Sequence, residues 1–105
     1  MTELDWKAFR RMVPELRERY IQGRNAELKS LLEASAASHT AKFWSIHEKI
    51  TKEAEILQRC LDGHRRSRIM EFIHEMLETG LMEIGDLSVF SSELQARVKS
   101  FFDDR

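Results

Sequence analysis

Residues 43–61 read FWSIHEKITKEAEILQRCL, and within them Phe43, His47, Ile50, Ala54, Leu57 and Leu61 recur at alternating steps of four and three. That heptad spacing keeps one seam of an α-helix against a neighbouring helix along its length. Asp62-Gly63 supplies the stop, because glycine readily adopts the left-handed conformation that closes a helix. A stretch of this kind, with only 1 proline and 4 glycines in the whole chain, predicts an all-α fold.

Downstream, Ile69, Met70, Phe72, Ile73, Met76 and Leu77 precede Gly80. Their apolar arc is wider than a single seam, which predicts a helix at the centre of the core. A last helix carries Leu87, Phe90, Leu94, Val98, Phe101 and Phe102, with Asp86, Ser91 or Ser92 as its cap. Upstream, Leu16, Tyr20, Ile21, Leu28, Leu31 and Leu32 mark a helix from Pro14 to about Ala36, weakened at Gly23 and Asn25. The small polar run to Thr40 predicts a break after it, with Ser38 or Thr40 capping the next helix. Trp6, Phe9, Met12 and Val13, behind Thr2 or Asp5, form a short first helix that Pro14 separates from the second. The expected architecture is a compact antiparallel bundle of four main helices plus a short N-terminal helix. It forms one domain over residues 1–105 and is frayed at 1–3 and 103–105.

Composition narrows the function classes. Apolar residues make up 42% and charged residues 33% of 105 positions, the balance of a folded globular chain. The net charge of −1 provides no global field for a polyanion, so nucleic-acid binding would need a local patch. Bases exceed acids by 14 to 11 through Glu71, and acids exceed bases by 7 to 3 after it, an asymmetry suited to self-association. Cys60 stands alone, which excludes an intramolecular disulfide and points to a reducing, cytoplasmic setting. No apolar run approaches the ~18 residues of a membrane span, and the first residues do not resemble a secretion signal.

The candidate chemistry is sparse. His64, Arg65, Arg66, Ser67 and Arg68 gather cations where a helix begins. Free N–H groups and a positive dipole end already favour an anion there, so a phosphate or a partner's carboxylate is the expected ligand. Trp6, Phe9 and Trp44 are the candidate interface residues, Trp44 because it lies one position off the seam. Asn25 and His47 place polar groups on two seams near each other. Cys60, beside Leu57 and Leu61, reads as a small buried hydrophobe.

Arg59 to His64 and Arg68 to His74 each place a histidine five or six positions after an arginine. This spacing resembles the Arg-x(4 to 6)-His motif of HEPN-type ribonucleases, and the resemblance implies a helical domain whose arginine and histidine act at an RNA phosphate. It covers only those residues, and Cys60 and Ile69 stand where the motif has a polar residue. Glu71 and His74 have the Glu-x-x-His spacing of di-iron bundles, but that site needs two such motifs and two further glutamates. No metal or other cofactor is therefore expected. The reading that follows is a non-enzymatic interaction or regulatory protein whose partner is another protein or a second copy. A nucleic-acid module using Arg65, Arg66 and Arg68, with Arg10 and Arg11 if the fold brings them onto the same face, ranks second, and a HEPN-like ribonuclease third.

Overall fold

The computed structural model describes residues 2–34 and 36–103, and they form α1 (Glu3–Glu33), α2 (His39–Leu61), α3 (Ile69–Thr79) and α4 (Ser92–Asp103). Short 3-10 segments at Arg66–Arg68 and Ile84–Val89 lead into α3 and α4. The fold is all-α. The fraying expected at Met1, Asp104 and Arg105 lies outside the described residues.

The separate N-terminal helix is not observed, because α1 runs unbroken through Pro14. An internal proline costs a helix about 3 kcal/mol through its missing N–H and its ring. Here Pro14 lies on the exposed side, while Phe9, Val13, Leu16 and Tyr20 are buried on the other, so packing on both sides of the proline offsets that cost. The start of α1 is not frayed at Thr2 and Glu3 either. Thr2 Oγ1 accepts from the Asp5 N–H at 3.1 Å, and the Thr2 N–H donates to Asp5 Oδ2 at 3.3 Å, a capping box. At its other end α1 stops at Glu33, short of Ala36. Ser38 then caps α2 by accepting from the Ala41 N–H at 3.1 Å.

Asp5 is 2% exposed and ties the two ends of the chain together. Its carboxylate accepts from the Ser91 N–H and the Ser91 hydroxyl, both at 2.7 Å, and Ser91 Oγ in turn caps α4 at Leu94. Burial pushes the Asp5 carboxyl up, but the hydrogen bonds from Ser91 and Thr2 outweigh it and hold it below the usual carboxylate range. A second clasp joins α1 to the segment before α4. Arg19 Nη1 and Nη2 donate to the two carboxylate oxygens of Asp86 at 3.0 and 2.6 Å, and Nη2 also reaches the Leu81 carbonyl.

Ile69, Phe72, Ile73 and Met76 of α3 are all buried, as the wide arc predicted. They meet Phe9, Val13, Leu16 and Tyr20 of α1, Cys60 and Leu61 of α2, and Leu94 and Val98 of α4. Gly63 (φ +70°) and Gly80 (φ +85°) close α2 and α3 in the left-handed region that favours glycine.

The expected compactness is not observed. The chain measures 52 × 26 × 18 Å with a radius of gyration of 16.7 Å, against about 13 Å for a compact domain of this length. Helix length explains the difference. At 1.5 Å per residue α1 spans roughly 46 Å and α3 and α4 only about 16–18 Å, so the two short helices cover little more than a third of the long one. Between Tyr20 and Cys60 no described residue is buried. That part of α1 and α2 is a two-helix arm projecting from the core.

Candidate interaction surface

Contacts along the arm run in opposite order on its two helices: Tyr20 with Glu53, Glu27 with Lys49, and Leu32 with Lys42. α1 and α2 are thus an antiparallel hairpin. Its middle is joined by polar side chains. The Tyr20 hydroxyl donates to Glu53, Arg24 lies 4.4 Å over the Tyr20 ring and 3.3 Å from Glu53, and Glu27 bridges Arg24 at 3.0 Å and Lys49 at 2.9 Å. Half-exposed ion pairs of this kind contribute about 0–1 kcal/mol each. They set the register of the hairpin without building a core.

The apolar residues of the arm are displaced to one side of that polar seam. Ile21, Leu28, Ile50, Ala54 and Leu57 line a groove with Asn25 between them, its walls shared with Arg24, Lys49 and Glu53 of the seam, and Leu32, Phe43, Ile46 and His47 line its continuation toward the tip with His39 and Lys42. Leu32 is 57% exposed, Phe43 62%, Trp44 60% and Ile50 49%. Trp44 packs edge-on against Phe43 and His47 at 5.1 and 5.7 Å, extending the same surface. With about 150–250 Å² for each of the two aromatic side chains and less for Leu32 and Ile50, those four leave on the order of 400 Å² exposed on one arm. A contiguous apolar patch of that extent matches the largest patch on a typical single chain, which is often functional.

The predicted arginine cluster is divided by the fold. Arg66 pairs with Glu3 at 2.7 Å and Arg68 with Glu71 at 2.7 Å, while Arg65 makes no ion pair among the described residues. Ser67 is exposed in the 3-10 turn. His64 turns inward: its Nε2 donates to the Cys60 carbonyl at 2.7 Å, and its ring packs edge-on between Phe9 at 4.9 Å and Phe72 at 4.6 Å. It packs with the core and away from the three arginines that follow it. Phe9 likewise proves to be a core residue with no exposed surface, because it faces α3 while Trp6 covers it.

Arg66 instead joins Lys7, Arg10 and Arg11 around Trp6 in a shallow concavity that Glu3 also lines. The Arg10 and Arg66 guanidinium groups lie 6.0 and 5.8 Å from the Trp6 ring. Of the two arginine–histidine pairs, Arg59 lies 3.8 Å from Glu75, and His74 stacks on Phe101 at 3.7 Å. Burial pushes the Cys60 thiol up, which disfavours the thiolate. Among the described residues no three His, Cys, Asp or Glu side chains form a metal-binding group, and no helix is long and apolar enough to cross a membrane.

Compared with models of protein families, with curated proteins and with solved structures, the chain matches none.

Proposed function

We propose that this chain is a non-enzymatic interaction protein that docks another helical surface onto the apolar face of its arm. The observation that carries this reading is the opening of Ile21, Leu28, Ile46, Ile50 and Leu57 onto a groove beside the charged seam between α1 and α2, with Leu32, Phe43, Trp44 and Ile50 about half exposed. In an isolated hairpin such residues would sit between the helices, where here Arg24, Glu27, Lys49 and Glu53 sit. Adding a helical layer from outside would complete a four-helix bundle around them.

The test is a photo-crosslinking amino acid in place of Trp44, in cells expressing the chain. A discrete adduct is expected, lost when Ile50→Glu is added and not formed from exposed Ser88. Absence of any adduct from position 44 would remove the reading.

A second reading, single-stranded nucleic acid at the base of the arm, is favoured by the gathering of Lys7, Arg10, Arg11 and Arg66 around a stacking side chain, Trp6. Binding to random single-stranded RNA should then weaken steeply with salt, and Arg10→Gln with Arg11→Gln should lower the logarithmic slope by roughly 1–2. A salt-independent or unmeasurable affinity would dispose of it.

A further inference from the structure

Resting on the docking reading, we infer that the occupant of the arm's apolar face is a second copy of this chain, laid antiparallel about a two-fold axis at the level of Asn25 and Ile50. Those two residues lie at one level because the hairpin sets Tyr20 against Glu53 and Glu27 against Lys49. A two-fold contact requires a surface complementary to itself, each residue meeting its mirror position in the second copy.

The arm meets that requirement on both helices. In α2, Phe43 and Leu57 stand seven residues either side of Ile50, and Ile46 and Ala54 stand four either side. Reversal about Ile50 sets Phe43 on the second copy's Leu57, the large Ile46 on the small Ala54, and Ile50 on itself. In α1, Ile21 and Leu28 lie four residues before and three after Asn25, so the same axis sets each on the other. Asn25 then meets its own copy at the axis. A polar residue at a single seam position is a known means of fixing register.

The charges at the edge agree. Glu18 and Lys29 share the outer edge of α1, and reversal about Asn25 brings each within about a turn of the other in the second copy. Arg24, Lys49 and Glu53 line the groove near the axis, each already held in an ion pair of its own chain, and the outer edge of α2 (Thr40, His47, Thr51 and Gln58) adds no acid or lysine. A parallel arrangement would instead set Ile50 over the second copy's Arg24 and Asn25. The on the order of 400 Å² from four side chains is roughly half of the about 800 Å² per partner in a stable interface. The part-buried Ile21, Leu28, Ile46 and Leu57 and the polar edges add to it.

The test is site-directed disulfide formation in full-length chain carrying Cys60→Ser, repeated with the buried Cys60 retained in case that substitution disturbs folding. Ile50→Cys should oxidise to a covalent dimer about tenfold or more faster than Phe43→Cys alone, because a pair held at the axis has a high effective concentration. Phe43→Cys mixed with Leu57→Cys should also crosslink. No covalent dimer from any of these, or equal rates from Phe43→Cys alone and Ile50→Cys, overturns the arrangement. An adduct from position 44 with a different protein, while the chain sediments as a single copy, overturns the second-copy occupant and leaves the docking reading in place. With no adduct at all, both fall.

Discussion

Ile73→Ala should lower the unfolding free energy by about 2–5 kcal/mol, the range for truncating a buried isoleucine when its surroundings relax only partly. Ile73 is 0% exposed and lies on α3, where α1, α2 and α4 supply the rest of the core. Because the core occupies only one end of a 52 Å molecule, few other layers exist to absorb the cavity. For a chain of this size the loss corresponds to a fall in Tm on the order of 10 °C or more. Urea denaturation reads it directly, and a change below about 0.5 kcal/mol, typical of surface positions, would remove α3 from the core.

Ile50→Glu should do the opposite. In the single chain Ile50 is half exposed in mid-helix, and glutamate is a good helix former, so the stability of the isolated fold should change by no more than about 0.5 kcal/mol. Association should weaken on the order of a hundredfold or more. At the inferred two-fold axis the substitution brings two carboxylates together in an apolar layer, and unpaired charge taken out of water costs several kcal/mol. Ile50→Ala keeps the face apolar and should weaken association far less. A loss of monomer folding with Ile50→Glu would place this residue in a core that the structure does not show.

The core end of the molecule is legible in the sequence because its signals are local. Gly63 and Gly80 mark stops, Ser38 and Ser91 mark starts, and the arc from Ile69 to Met76 has only one side on which it can be buried. Pro14 misleads, since the preference against a helix-internal proline is local while the packing of Phe9, Val13 and Leu16 that overrides it is tertiary. The arm is harder to recognise, for Leu28, Leu32, Phe43 and Ile50 have the periodicity of a core helix whether or not a core stands beside them. Two signals do point to it. Two helices of 31 and 23 residues cannot be covered by two of 11 and 12, and Arg24, Glu27, Lys49 and Glu53 occupy the very turns where the hairpin's own seam must run. The sequence offers the gathering of Arg66 with Arg10 and Arg11 only as a conditional, while the parting of Arg66 from Arg65 and Arg68 depends on Glu3 and Glu71, one of them 63 residues away from its arginine.

Sedimentation equilibrium of the unmodified chain beside Ile50→Glu, across a wide range of concentrations, is the most direct measure of whether the arm's apolar face is covered by its own copy. Twice the 12.4 kDa chain mass is expected for the unmodified protein and a single chain mass for the variant, with matching circular dichroism. A single chain mass for both, at every concentration and salt, would contradict it.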